Sequence, residues 1–191
     1  MFTRLRQATS CPSVLTSQNI ESIKVERAIE LAKEIISNGE KVVIFSEFKE
    51  PVYRLQKALS EYNPLIGTGD IADSEFSSNI DKFQQDDKYK VFIGTTSKCG
   101  TGITLTAATY MIFIDIPWTY GDYQQACDRI HRIGTTKPVF IYNLICKDTI
   151  DELVSYIVNK KSTLATFVVD KEIDEKMRWI LNRCVPDTLF Y

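Results

Sequence analysis

The sequence predicts an α/β sandwich in which helices cover both faces of a mostly parallel central sheet. Three observations predict this class: short apolar runs suited to buried strands alternate with segments of helical periodicity, the connections are short, and 191 residues suffice for one domain. A chain of this length buries roughly 70% of the surface that it exposes when unfolded. The core therefore needs no support from disulfides or metal ions.

Residues 22–38 predict an amphipathic helix, because apolar side chains recur at helical spacing and Gly39 follows as a C-cap. Residues 42–45 (VVIF) predict a strand, since β-branched and aromatic residues without polar alternation are typical of strands buried on both faces. Pro51 then opens a second helix. Strands joined by helices in this way form right-handed parallel units.

The alternation continues towards the C-terminus. The order is a strand at 64–67, a helix from Asp73, strands at 91–93 and 111–114, a helix at about 122–132, a strand at 139–144, a helix from Thr149 and a last helix at about 171–182. Residues 1–19 carry no such signal, and we expect them to be flexible. In open parallel sheets ligands bind outside the carboxyl ends of the strands, so the loops there are the candidate site.

The use of cysteine and histidine excludes several kinds of site. The five cysteines form no CxxC pair and His131 is the only histidine, so the sequence predicts no structural zinc, no other metal site and no disulfide framework. No apolar run is long enough for a signal peptide or a membrane span. We expect a protein that is not secreted and has no membrane partner, located in the cytoplasm of a bacterial or viral source or in the nucleus.

The charge of the chain is nearly balanced but unevenly distributed. Its 23 basic and 25 acidic side chains give a net charge of −2, which argues against a general nucleic-acid coat. Residues 61–87 hold 1 basic and 7 acidic side chains, whereas residues 88–147 hold 7 basic and 3 acidic ones. Such an excess is equally compatible with chance, because a nucleic-acid footprint also needs clustering in space.

The densest polar constellation lies at residues 124–134 (QQACDRIHRIG). Arg129 and Arg132 are three residues apart, so on a helix they project from nearly the same face and both guanidinium groups can reach one anion. Such a pair suits phosphate. The spacing alone is at least as typical of a solvated basic face, or of salt bridges to Asp122 and Asp128.

A second constellation, residues 95–105 (TTSKCGTGITL), directly follows a predicted strand. Gly100 and Gly102 let the backbone approach a ligand closely, while N–H groups and hydroxyls supply donors for phosphate or ribose oxygens. A tight turn with no ligand explains a single Gly-x-Gly at least as well. The segment is not a P-loop, because GxxxxGK[ST] occurs nowhere in the chain.

Together these segments resemble motifs V and VI of the second RecA-like lobe of Swi/Snf-type DNA translocases, within the superfamily 2 helicases. LRQATSCP, at residues 5–12, resembles the Leu-Arg…His-Pro element that precedes the lobe, and KVVIFSEF resembles motif IV. TTSKCGTGITLTAA is similar to motif V, DIPW to the Asp-x-x-Trp after it, QACDRIHRIG to motif VI, and KDTIDE to the segment that closes the lobe. The resemblance implies a RecA-like three-layer α/β/α sandwich.

The match covers most of the chain in the family's order, with departures at a few positions. Cys11 stands where the family usually has His, Cys99 replaces a glycine and Thr104 an asparagine of motif V, Thr119 and Tyr120 replace Asn-Pro, and Thr135 replaces the last Gln of motif VI. These departures concern details of nucleotide and DNA contact and leave the implied fold unchanged.

The resemblance assigns the nucleotide-facing residues. Arg129 and Arg132 would enter a cleft between two lobes as arginine fingers, the catalytic groups that face the charge developing on the γ-phosphate of ATP. Arg132 is the better candidate for direct contact. Gln125 would orient the arginines or the nucleotide, and Gly100 and Gly102 would shape the adjacent wall.

The resemblance also assigns residues to DNA. Ser46, Thr96 and Lys98 lie in loops that would meet the phosphate backbone, and Trp118 stands where the family places a tryptophan near the groove. Ordinary core packing is the alternative for Trp118.

The resemblance implies one part of a two-lobe motor. Such a motor binds ATP with Mg²⁺ mainly through a first lobe that carries the P-loop, so we expect a piece of a longer ATPase that is inactive alone, with double-stranded DNA and the N-terminal P-loop lobe as partners. Residues 1–19 would join the lobes, 20–170 form the lobe, and 171–191 form a helical extension. The alternative is a non-catalytic module that docks on nucleic acid or a partner; the missing P-loop and dinucleotide fingerprint disfavour a free-standing nucleotide-binding enzyme.

Overall fold

A parallel sheet forms the centre of the molecule. The computed structural model describes residues 2–16, 18, 20–100, 102–132 and 138–160. Its strands are β1 (Val42–Ser46), β2 (Leu65–Gly67), β3 (Val91–Thr95), β4 (Tyr110–Phe113) and β5 (Phe140–Asn143). They lie in the order β2-β3-β1-β4-β5, and every neighbouring pair is parallel. The sheet predicted as mostly parallel is thus parallel throughout the described residues.

Helices precede and follow these strands. They are α1 (Phe2–Ser10), α2 (Ile23–Ser37), α3 (Lys49–Ala58), α4 (Asp73–Gln85), α5 (Thr96–Cys99), α6 (Tyr120–Cys127) and α7 (Ile150–Asn159), with 3₁₀ turns at Pro12–Val14 and Ser60–Tyr62. Side-chain caps fix where three of them begin. The hydroxyls of Ser22, Thr119 and Thr149 accept backbone N–H groups in the first turns of α2, α6 and α7.

Alternate residues of each central strand point to opposite faces, which divides the core in two. Val42 and Ile44 of β1 pack under α2 and α3, whereas Val43 and Phe45 pack under α4 and α6. A smaller cluster joins Ile116 to the apolar side of α7. Helices on both faces of one sheet form the three-layer α/β/α sandwich that the sequence predicts.

The first residues of the chain differ from the prediction. The sequence predicts that residues 1–19 are flexible, but residues 2–10 form α1, which packs against α7 and α2. The side chains of Arg6 and Ser10 are buried. Contacts to residues more than 100 positions away in the sequence hold this helix in place, so no local sequence pattern predicts it.

The helix predicted at about 122–132 ends earlier, at Cys127. The N–H groups of Arg129 and Ile130 bond three residues back, to Ala126 O and Cys127 O, which tightens the chain into turns. Arg129 O accepts the N–H of Leu105 at 2.8 Å instead of continuing a helical ladder. The predicted helix therefore ends before Arg129 and Arg132, and both arginines lie in the turns that follow it.

Three predicted features lie outside the described residues. These are the last helix at 171–182 with the extension at 171–191, the end of the lobe at 170, and the close of motif VI from Ile133 to Thr135.

Candidate functional site

A cavity of about 310 Å³ lies where β1, β3 and β4 end, at the edge of the sheet that the sequence marks as the candidate site. It is lined by Glu47, Thr96, Ser97, Gly100, Pro117, Trp118, Asp122 and Gln125. Four of these residues were predicted to be functional, namely Thr96, Gly100, Trp118 and Gln125. Larger grooves of about 710 and 660 Å³ contain none of the predicted residues.

The wall after β3 is built by a tight backbone turn. Thr96 is 8% exposed, and its hydroxyl donates to Ser46 O at 3.2 Å and to the carboxylate of Glu47. Gly100 N donates to Thr96 O at 2.7 Å. A Cβ at position 100 would lie 2.6 Å from that oxygen, so only glycine allows this turn.

Trp118 forms the opposite wall and packs as well as lining the cavity. Its ring meets Phe2 edge-on, with centroids 5.9 Å apart, and the Arg6 guanidinium lies 4.8 Å from its centroid. It also contacts the apolar cluster of Ile116 and α7. Trp118 thus packs in the core and also lines the cavity, and its contact with DNA stays a prediction.

The two predicted arginines, Arg129 and Arg132, lie next to this cavity, and both bond to the segment that follows Gly102. Arg129 donates from Nε to Gln125 O at 2.9 Å and from Nη1 to Ile103 O at 3.1 Å, while Nη1 of Arg132 donates to the hydroxyl of Thr104. Gly102, with φ +74°, supplies the left-handed residue at the start of the segment. We call this arrangement of residues 102–105 and 129–132 the arginine clasp.

Ser46 lies below the cavity and not at its surface. It is 1% exposed, its hydroxyl donates to Asp115 Oδ2 at 2.6 Å, and it accepts the N–H of Phe48 at 3.1 Å. A DNA contact by Ser46 stays a prediction, and it requires these bonds to be exchanged.

Lys98 points away from the cavity towards the loop between β2 and α4. Its ammonium donates to Asp73 Oδ1 at 2.5 Å and lies 4.9 Å from the centroid of the Phe76 ring. The hydrogen bond from Lys98, and then its charge, lower the pKa of Asp73 below 3.8. Lys49, the first residue of α3, is paired in the same way with Asp70.

The family pattern of the helicase conserved C-terminal domain matches residues 24–134, more than half of the chain. The chain belongs to this family. The matched range contains the cavity loops and both arginines of the clasp. The predicted resemblance to the second lobe of Swi/Snf-type ATPases is confirmed by relatives and by solved structures.

Among the relatives, the ATP-dependent helicase fft1 of Schizosaccharomyces pombe is 35% identical over 162 residues. These are 82% of this chain but 17% of fft1, so the chain spans a small part of that relative's length. The C-terminal part of the Fun30 ATPase domain has 32% identity and a TM-score of 0.66, over 86% of this chain and 56% of that one. The Sulfolobus solfataricus SWI2/SNF2 ATPase core in complex with dsDNA has 25% identity and a TM-score of 0.73, over 93% of this chain and 40% of that one.

These likenesses confirm the RecA-like α/β fold of the helicase lobe. Within the described part of the lobe, no group of three or more His, Cys, Asp or Glu side chains is arranged to hold a metal ion. No helix described there is long and apolar enough to cross a membrane.

Sequence reasoning missed a buried cluster of charges beneath the cavity. Lys24 Nζ lies 2.6 Å from Asp151 Oδ2 and 3.8 Å from Asp115 Oδ1, and it donates to Ile114 O at 3.0 Å. Ser10 donates to Asp115 Oδ2 at 2.9 Å. One signal was available, because Asp115 directly follows an apolar run at the carboxyl edge of the sheet.

The structure also explains why the helicase lobe carries Cys99 where the family has glycine. The Cys99 side chain fills the space left by Gly67 and Gly94, and a Cβ at either glycine would collide with its sulfur. The thiol donates to Gly67 O at 3.3 Å, and burial raises its pKa to about 12. Cys99 is therefore a packing residue with an unreactive thiol.

Proposed function

We propose that this chain is the second motor lobe of a Swi/Snf-type, ATP-dependent translocase on double-stranded DNA. Membership of the helicase family supports the identity of the lobe, and homologues named ATP-dependent helicases support a part in an ATP-hydrolysing enzyme. The arginine clasp is the observation that carries the catalytic part of the proposal. The P-loop lobe that precedes it in the family would hold ATP and Mg²⁺.

The two arginines of the clasp have different tasks in this proposal. Arg129 is half-buried and anchored by two carbonyl oxygens, so it is fixed in advance of any ligand. Arg132 is exposed on the same segment. Arg132 is the finger that meets the γ-phosphate when the lobes close, and Arg129, with Gln125 behind it, keeps the segment in place.

The DNA part of the proposal rests on the cavity and on a relative. The Sulfolobus solfataricus ATPase core was solved in complex with dsDNA. In this chain Thr96 and Gly100 line the cavity, with Trp118 as an apolar wall. The Thr96 hydroxyl would contact a phosphate by exchanging its present partners, Ser46 O and Glu47. Lys98 joins them once a phosphate replaces Asp73 as its partner.

The catalytic proposal is tested in a two-lobe protein in which the P-loop lobe of a Swi/Snf-type ATPase precedes this chain, by measuring DNA-stimulated ATP hydrolysis. Arg132→Ala is expected to lower turnover by about 10³-fold or more and to leave ATP binding unchanged, since a finger acts on the transition state. Arg27→Ala is the matched control, an exposed arginine on α2 paired with Glu30 at 2.8 Å. Normal turnover by Arg132→Ala contradicts the finger assignment.

The DNA proposal is tested on the 191-residue chain itself. Lys98→Ala is expected to reduce the slope of log affinity against log salt by about 1 for a short duplex, because one phosphate contact is lost. The chain alone is expected to hydrolyse no ATP. DNA binding by this chain that responds to Lys98→Ala, together with ATP hydrolysis by the two-lobe protein that is indifferent to Arg129 and Arg132, would favour the non-catalytic binding module instead.

A further inference from the structure

One arginine of α1 contacts two of the loops that enclose the cavity and is linked to the third through Glu47. Arg6 is 3% exposed and lies between α1 and the segment that joins β4 to α6. Its Nη2 donates to Ile116 O at 2.5 Å, and its guanidinium covers the ring of Trp118. The loop after β4 is therefore held from behind by a residue more than 100 positions earlier in the sequence.

The same guanidinium faces the loop after β1. Arg6 Nη1 lies 3.9 Å from Glu47 Oε2, and the other oxygen of this carboxylate accepts the hydroxyl of Thr96. The backbone of Thr96 in turn accepts Gly100 N. Arg6 is thus linked to the β3–α5 turn through one carboxylate.

The position of α1 is fixed independently of Arg6. Ser10 donates to Asp115 Oδ2 at 2.9 Å, and Thr9 donates to Asp151 Oδ1 at 3.0 Å. These bonds tie the end of α1 to the end of β4 and to α7. Because the helix is anchored at this end, the orientation of its preceding turn determines where the Arg6 guanidinium lies.

An arginine at this buried position indicates a specific role. Burying a guanidinium group costs free energy unless its N–H groups are hydrogen-bonded and its planar faces are packed. An apolar side chain would fill the same space without this cost. A planar fork is the group that can bond a carbonyl, face a carboxylate and stack on an indole at once. All three partners here line or support the cavity.

We propose that Arg6 is a positioning residue that keeps the three walls of the cavity in register, so that α1 determines the shape of the site. For its DNA readout the inference rests on the proposed function. Its structural readout, the exchange protection of the β3–α5 turn, does not depend on DNA. Arg6 itself touches neither nucleotide nor phosphate, because it is buried.

The test compares Arg6→Ala with Arg4→Ala, an exposed arginine on the same helix, in the 191-residue chain. Hydrogen exchange followed by mass spectrometry is expected to speed up about tenfold in residues 95–100 of Arg6→Ala and to stay unchanged there in Arg4→Ala. Arg6→Lys is expected to be intermediate, because it keeps the charge and loses the planar fork.

Affinity for a 20-base-pair duplex supplies the second readout. Arg6→Ala is expected to weaken binding by about tenfold with an unchanged salt slope, since no phosphate contact is removed. If Arg6→Ala proves unstable, Glu47→Gln removes the negative charge that faces Arg6 without emptying the buried site, and it is expected to raise exchange at 95–100 while α1 stays protected.

Faster exchange confined to α1 and α7, with residues 95–100 unchanged in both Arg6→Ala and Glu47→Gln, overturns the inference and leaves Arg6 a structural residue. Faster exchange at 95–100 in a chain that binds no DNA supports the inference and contradicts the proposed function. The two failures are therefore distinguishable.

Discussion

Two groups of ion pairs lie at the carboxyl edge of the same sheet and differ in their contact with water. The buried group joins Lys24 to Asp115 and Asp151, whose side chains are 1–8% exposed. The exposed group pairs Lys49 with Asp70 and Lys98 with Asp73, whose side chains are 23–91% exposed.

This difference decides what each group can do. A buried ion that loses its partner keeps the full cost of leaving water, so the buried cluster locks α1, α2, β4 and α7 into one arrangement. An exposed pair gains little and is screened by salt, so its lysine can exchange a carboxylate for a phosphate at small cost. The buried group holds the packed elements of the lobe in one arrangement. The exposed group leaves the surface lysines able to change partners.

The strongest test of this contrast is Lys24→Ala, which leaves two carboxylates buried near each other. We expect a loss of about 3–5 kcal/mol in the free energy of unfolding, measured with urea. Lys33→Ala is the control on the same helix, because Lys33 pairs with Glu61 at 3.3 Å in solvent; its change is expected within about 0.5 kcal/mol. Equal effects of the two substitutions would remove the distinction.

A smaller effect is expected for Asp73→Asn, which releases Lys98 from its carboxylate partner. The affinity of the chain for a DNA duplex should rise about two- to fivefold at low salt, and the urea midpoint should stay unchanged. Asp81→Asn removes an exposed acidic group from the same helix and controls for net charge alone. An identical gain in both variants would mean that the pair with Lys98 plays no part.

The smallest effect is the pH dependence of the exposed pairs. The pKa of Asp73 is lowered from 3.8 in the folded state, so its contribution to stability is complete above that value and is lost as the pH falls through the folded pKa. We expect NMR titration to place the pKa of Asp73 below 3.8 and Lys98→Met to return it towards 3.8. Lys49→Met should raise the pKa of Asp70 and leave that of Asp73 unchanged. An unchanged pKa of Asp73 in Lys98→Met would contradict the pairing.

The sheet was predictable because its signals are local. The run of residues 42–45 is apolar at every position, and the structure uses both sides of it, with Ile44 under α2 and α3 and Phe45 under α4 and α6. The capping residues Ser22 and Thr149 likewise mark helix starts from the sequence alone.

The elements that failed the prediction depend on distant partners. Nothing around α1 indicates that Arg6 will reach Ile116 O, and nothing in residues 124–134 indicates that Arg129 O will accept the N–H of Leu105. Helical propensity continues past Cys127, but this long-range bond and the turns before it end the helix.

The candidate site was predictable at the level of loops and less so at the level of side chains. Thr96, Gly100, Trp118 and Gln125 line one cavity because the carboxyl ends of parallel strands share an edge. The loop positions alone could not show that Ser46 is buried. Its hydroxyl bonds to Asp115, just after β4, and Asp115 is held in turn by Ser10 at the end of α1.

The packing of Cys99 limits which residues can occupy three positions of the helicase lobe as its sequence varies among relatives. Its sulfur fills a volume that β2 and β3 leave open only because positions 67 and 94 have no side chain. A change at any one of the three positions alters the room at the other two. In relatives of this chain these positions should therefore covary, with a side chain at 94 accompanied by glycine at 99, so that the family's glycine and this chain's cysteine are alternative solutions to one packing problem.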